Sequence, residues 1–378
     1  MSSLGELRTI RVDQVGSLLR PAALIDAVAG YRQGTIDEDA LLLAQERAVR
    51  AAVREQERLG LPVVVDGELR RIHFMQSFAE VEGMEHWQER WSEALLNDSR
   101  GRVTSAARGL DPDFADGPPI TAPLRLKRNR PLEEFSFAQA LTSRPVKATL
   151  LSPDLILRDC LHAKSLGPYE DPDQLLEAIA AVERRMLSEL AEAGCRYIQV
   201  DAPNYTVWVD DRAREAAEAN GETLNRSLTR AIAADNAIAS AAPGITTGIH
   251  LCRGNRQSAW HRAGGYGRIA EQVFATLAHD RLLLEYDSDR AGGFEPLRYV
   301  PAGKVVVLGL ISSKVPELES PDELKRRIDE ASRYVPIERL ALSPQCGFAS
   351  TIHGNALTED EQWRKLELML EVAEDVWG

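Results

Sequence analysis

The stretch "GIHLCRGN" sets His250 and Cys252 two residues apart in a chain with only seven histidines and four cysteines. An imidazole and a thiolate are donors that a borderline-soft divalent ion such as zinc prefers. Two ligands do not make a site, so the question is whether the sequence supplies others. Cys346 in "SPQC" and Glu285 in "LEYD" both follow short apolar runs and are the candidate partners. One His, two Cys and one Glu offer four donors, the number zinc takes in a tetrahedron. The carboxylate is the exchangeable member and could yield to an incoming ligand, which suits a catalytic site. The paired C-x-x-C spacing common in closed structural sites is absent.

Plainer readings exist for each residue. A cysteine at a strand end is often a small buried hydrophobe. A lone histidine is often a hydrogen-bonded core residue. Glu285 could pair with Arg290 or Arg298, and Asp66 and Glu68 with Arg70 and Arg71. Cys160 and Cys195 lie on helical patterns and read as packing residues.

The elements that must position these residues are short apolar runs. The candidate strands are 9–15, 62–66, 146–151, 197–201, 245–250, 282–287, 304–310 and 340–344. They are nearly continuous apolar runs, as expected where both faces of a parallel sheet are buried. Amphipathic segments lie between most of them. One begins at "DEDA" and stops at Gly60; another begins at "DPDQ" and stops at Gly194. Acidic or proline starts and glycine stops mark helix ends. Eight strands with intervening helices predict an α/β fold, a single (β/α)8 TIM barrel over 1–378, with a long insertion at about 72–145 after the second strand and a small hairpin within it. A doubly wound open sheet is the alternative. In a barrel the carboxyl ends of the strands share one edge, where active sites lie. Ser17, Asp66, Glu68, Ser152, Asp201, His250, Cys252, Glu285 and Cys346 all fall just at or past such ends, so distant residues converge.

Composition narrows the partners. The net charge of −13 argues against binding the phosphate backbone of nucleic acid. No apolar run approaches the roughly 20 residues of a membrane span. The first residues lack a signal-peptide layout, and scattered cysteines do not form a disulfide framework, so a cytoplasmic location is expected.

Taken together, "HLCRGN", "LLLEYD", "GLISSKVPELES" and "LSPQCGFASTIHGN" resemble the catalytic half of cobalamin-independent methionine synthase, and more closely its short single-barrel relatives. "RVDQVGSLLRP" and "VVVDGELRR" extend the resemblance to the N-terminus. It implies a (β/α)8 barrel and a zinc ion that activates a thiol for alkylation. It implies that His250, Cys252, Glu285 and Cys346 are the zinc ligands. It implies that Val15, Gly16 and Ser17 hold the carboxylate end of homocysteine, and that Glu68 and Asp201 hold its amino group. A zinc-bound thiol is deprotonated, whereas a free one has a pKa of about 8.5.

The sequence also departs from the family. The second, N-terminal barrel of the full-length enzyme has no counterpart. Pro153 stands where a tryptophan stacks on folate, Val207 where a second acidic residue stands, and Ile311 where the general-acid histidine stands. These changes leave the alkyl donor open, and Tyr205 and His353 are the candidate proton donors.

The expected activity is therefore zinc-dependent S-alkyl transfer to a small thiol, foremost methylation of homocysteine to methionine by a donor that need not be a folate. The second reading is an epoxyalkane:coenzyme M transferase, whose sulfonate would want Arg70, Arg71 or Arg253. Glu68 and Asp201 would repel a sulfonate and favour an amino-bearing thiol. The third is a non-catalytic protein with structural zinc. A uroporphyrinogen-decarboxylase-like enzyme shares the barrel but has no evident use for "HLC" and "SPQC". The partners expected are a small thiol and an alkyl donor, with neither nucleic acid nor membrane. The oligomeric state stays open, a homo-oligomer included.

Overall fold

The computed structural model describes residues 4–85, 120–162, 166–241 and 243–378. Among the described residues, eight strands fall in two sheets. β1 (Val81–Glu82) and β2 (Arg125–Leu126) form a small antiparallel pair. β3 (Lys147–Leu151), β4 (Tyr197–Asp201), β5 (Thr246–Leu251), β6 (Arg281–Glu285), β7 (Val305–Ile311) and β8 (Leu340–Pro344) form a six-stranded parallel sheet in sequential order. The order never reverses, so this sheet lacks the switch point of a doubly wound fold.

The expected strands at 9–15 and 62–66 are present only as single parallel bridges, Val12 to Leu342 and Val64 to Val146. They flank the two edges of the sheet. Side chains link them to each other: Gln14 Nε2 donates to Gln56 Oε1 at 2.6 Å, and the same oxygen accepts from the Val65 amide at 2.9 Å. A side-chain relay thus joins the two runs, each of which makes one backbone bridge to the sheet. The hairpin expected in the insertion is the β1–β2 pair; residues 86–119 of the insertion lie outside the described residues.

The long helices start and stop where their chemistry dictates. Asp37 accepts the Ala40 amide to open Glu38–Leu59, and Gly60 closes it in a left-handed conformation (φ +92°). Asp171 accepts the Gln174 amide, with Pro172 in the first turn of Pro172–Glu192. Thr358 and Glu361 form a capping box on Glu359–Trp377. No described helix is long and apolar enough to cross a membrane.

The sheet has two unlike faces. Ile198, Val200, Ile249, Leu282 and Leu284 are wholly buried in the large apolar core they share with the helices. Each contributes about 1.5–3 kcal/mol by leaving water. The alternate residues face the other way. There Lys147 and Thr149, then Tyr197, Gln199 and Asp201, then His250, then Arg281 and Glu285 replace apolar side chains. One face holds the fold and the other carries the chemistry.

At the amino ends of the strands this second face closes over a buried charge cluster. Lys147 Nζ donates to Asp13 Oδ1 at 2.8 Å; the other Asp13 oxygen accepts from Tyr197 Oη at 2.6 Å and meets Arg281 Nε at 3.3 Å. All of these groups are fully buried. Substituting Lys147→Met leaves Asp13 short of a charge partner. It is expected to cost about 3–5 kcal/mol, read as a lower urea midpoint.

Candidate active site

At the carboxyl ends of the strands, three of the expected metal ligands come together. His250 is in β5, Cys252 follows it, and Cys346 lies two residues past β8. One ligand atom from each lies within 4.8 Å of the others, and all three side chains are buried. Both ring nitrogens of His250 lack a hydrogen-bond partner despite their burial. Orphaned buried nitrogens facing two thiols are the arrangement a metal would satisfy.

Electrostatics agree with that reading. Contact with Cys346, and then with His250, holds Cys252 well below the usual thiol range against its burial. Cys346 is pushed up in turn by the same contact with Cys252. Burial alone would lower His250, but Cys252, Asp201 and Glu285 carry it above the usual imidazole value. The three groups are electrostatically coupled: thiolate character is favoured at Cys252 and opposed at Cys346.

Glu285 ends β6 beside this cluster but is not drawn into it. Its Oε2 accepts the Arg253 amide at 2.7 Å, and its Oε1 lies 2.5 Å from Arg290 Nη1 outside good hydrogen-bond geometry. The fourth expected ligand therefore sits at the next strand end, held by a backbone amide and one guanidinium.

The second group of expected residues lies against the first. The turn Asp66–Gly67–Glu68 holds Glu68 at φ +54°, a left-handed conformation uncommon for a residue with a side chain. Asp66 Oδ1 accepts the Glu68 amide at 3.1 Å and Arg20 grips the Glu68 carbonyl at 2.8 Å, which together maintain it. Thr149 Oγ1 donates to Glu68 Oε1 at 3.1 Å, while Glu68 Oε2 is buried without a hydrogen-bond partner. Asp201 ends β4 in register with His250. Burial pushes its carboxyl up to about 7, with His250 opposing.

Val15, Gly16 and Ser17 run between these carboxylates and the cysteine loop. A Cβ at Gly16 would lie 3.1 Å from Thr149 Cγ2 and 3.5 Å from Glu68 Oε1. Phe348 donates its amide to the Ser17 carbonyl at 2.8 Å. A Cβ at Gly347 would come within 2.0 Å of Ser17 Oγ, so only glycine allows the two loops to meet. Gly347→Ala is expected to cost about 1–3 kcal/mol and to loosen thiol binding, checked by a melt alongside a thiol titration.

The two candidate proton donors differ in their surroundings. Tyr205 is buried and donates to Asp235 Oδ2 at 2.7 Å, in a network with Ser152 behind the strand ends. His353 is exposed on the loop before the last helix. Tyr205→Phe is expected to leave turnover within about twofold and to cost about 1 kcal/mol of stability, measured by initial rates and a denaturant titration. The three arginines considered for a sulfonate are committed to protein partners. Arg71 pairs with Glu134 at 2.5 Å, Arg253 donates to the carbonyls of Gly264, Glu285 and Ala291, and Arg70 lies over Phe137 at 4.2 Å.

Sequence reasoning passed over Thr149, Gln199 and Gly347. Their signal was faint: single polar residues two or three positions from a site residue within apolar strands, and a glycine inside a motif.

A sequentially ordered parallel sheet with a buried His–Cys–Cys cluster at its carboxyl edge defines an α/β protein whose cluster could hold a metal ion. The model for the cobalamin-independent synthase catalytic domain matches residues 12–375, and the chain belongs to that family. The uncharacterized protein YxjG of Bacillus subtilis is 37% identical over 375 residues, covering 97% of this chain and 94% of its own. The 5-methyltetrahydropteroyltriglutamate–homocysteine methyltransferase of Thermotoga petrophila is 26% identical over 339 residues. The match takes in 88% of this chain but 40% of that enzyme, so the chain spans about two fifths of its length. Among solved structures, a candidate vitamin-B12-independent methionine synthase from Listeria monocytogenes superposes with a TM-score of 0.74 at 29% identity, covering 98% of both chains. A B12-independent methionine synthase from Shewanella, solved with selenomethionine, shares the fold at a TM-score of 0.69 and 19% identity.

Proposed function

We propose that this protein is a zinc-dependent S-methyltransferase that methylates homocysteine to methionine, built on a single closed (β/α)8 barrel and working in the cytoplasm. The observation that carries the reading is the buried cluster of His250, Cys252 and Cys346, whose ligand atoms lie within 4.8 Å of one another beside Glu68, Asp201 and the 15–17 loop. His250, Cys252 and Cys346 would hold the zinc, with Glu285 as a fourth, exchangeable donor. Zinc bound there supplies deprotonation of an incoming thiol near neutral pH.

The chain's own residues do the rest. Glu68 and Asp201 accept the substrate ammonium, and the backbone of Val15, Gly16 and Ser17 receives its carboxylate. Asp201 ends a strand, and Glu68 and the 15–17 loop are tied down by buried hydrogen bonds, so the thiol is held at one place and orientation while a methyl donor approaches. The buried surroundings keep water from competing. Ile311 and Pro153, at the positions of the family's acid and folate-stacking groups, are apolar, which favours a donor other than a folate. The committed arginines weigh against a sulfonate thiol and so against the coenzyme M reading.

The test is calorimetry on zinc-loaded protein with homocysteine and, separately, 2-mercaptoethanesulfonate, following proton release. Proton-releasing binding of homocysteine alone supports the reading. Preference for the sulfonate points to epoxide substrates. If neither thiol binds, the metal site is structural.

A further inference from the structure

The carboxylate Asp201 and the loop at Val15 are held by one buried side chain. Gln199 lies two residues before Asp201 on the inner face of β4 and is fully buried. Its Nε2 donates to Asp201 Oδ1 at 2.7 Å and to the Val15 carbonyl at 2.8 Å. Its Oε1 accepts from Lys147 Nζ at 2.8 Å. Chemistry fixes the direction of this amide. An ammonium only donates, so the amide oxygen must face Lys147 and both N–H groups must face the site. Lys147 cannot turn away, because Asp13 Oδ1 and the Gln14 carbonyl hold its other protons.

We propose that Gln199 is a positioning residue that sets the preference for an α-amino-acid thiol. This rests on the homocysteine reading above. One amide grips the carboxylate that receives the substrate ammonium and the loop that receives the substrate carboxylate. It fixes their separation, so the site measures the span between the two charged ends of the substrate. The buried charge cluster at the amino ends of the strands is the anchor for that grip. A thiol with neither charged end does not feel it, because the ligands His250, Cys252 and Cys346 have no contact with the amide among the hydrogen bonds of the described residues.

Gln199→Met keeps the length and removes the amide; Gln199→Glu keeps the shape and replaces the donor with a carboxylate facing Asp201. Both are made in the zinc-loaded full chain. Binding of homocysteine and of 2-mercaptoethanol, which has the thiol without the amino or carboxylate group, is measured by calorimetry. The Kd for homocysteine is expected to rise about 10–100-fold, while that for 2-mercaptoethanol stays within about threefold. Equal loss for both thiols, or unchanged homocysteine binding, overturns the proposal. So does failure of both variants to fold, which would make Gln199 structural only. Absence of homocysteine binding by the unsubstituted protein is a different outcome: it removes the homocysteine reading itself and this proposal with it.

Discussion

Substituting Cys252→Ser or Cys346→Ser is expected to abolish zinc retention and lower methyl transfer by about 10³-fold or more. The two thiols and the His250 imidazole are buried together, and no other described group of three His, Cys, Asp or Glu residues is close enough to hold a metal. A serine hydroxyl is the wrong donor: it is not ionised near neutral pH and is a poor match for a borderline-soft ion. The burial that protects the cluster also prevents water from replacing a lost sulfur cheaply. Zinc content per chain after dialysis, measured by atomic emission, gives the first readout, and homocysteine-dependent methionine formation gives the second. Full zinc content with full activity in either variant would sink the metal assignment. Stripping with a chelator should reproduce the loss, and added zinc should restore it in the unsubstituted protein only.

The second large effect concerns the paired carboxylates. Asp201→Asn and Glu68→Gln are each expected to weaken homocysteine binding by about 10–100-fold, with zinc content unchanged. Asp201 is at a strand end beside His250, and Glu68 is held in a left-handed turn by Asp66 and Arg20. Glu68 Oε1 is taken by Thr149 and Arg71, and Asp201 Oδ1 by Gln199, but Glu68 Oε2 is buried with no hydrogen-bond partner. Charge-assisted bonds to an ammonium lose most when the acceptor becomes neutral. The isosteric amides keep the shape, so a loss of affinity with an unaltered melting temperature separates binding from folding. Unchanged affinity in both variants would mean that the substrate carries no amino group, and the coenzyme M reading would regain ground.

Much of this was legible in the sequence, because it depends on local chemistry. Strand runs such as "YIQVD" and "LLLEYD" are mainly apolar stretches, and six of the eight appear within a residue or two of their expected limits. Helix starts at Asp37 and Asp171 follow from side-chain caps that act over three residues, and the stop at Gly60 from its left-handed backbone. The spacing of His250 and Cys252 on one strand end is local too.

What lay beyond the sequence depends on which strands become neighbours. The runs at 9–15 and 62–66 look like strands, yet their ladder is reduced to single bridges, and side chains of Gln14 and Gln56 span the rest. Glu285 reads as the exchangeable fourth ligand, but the Arg253 amide takes one of its oxygens and the Arg290 guanidinium lies against the other. Tyr205 reads as a residue near a motif, but Asp235, thirty positions later, takes its hydroxyl. Gln199 and Lys147 sit unnoticed in apolar runs. Their meaning appears only when parallel pairing stacks β3 beside β4 and the inner face closes over them. Residue type and spacing therefore determine the elements and the donor set. Tertiary structure alone decides which donors are free to act, because a buried polar group must find its partner wherever the fold places one.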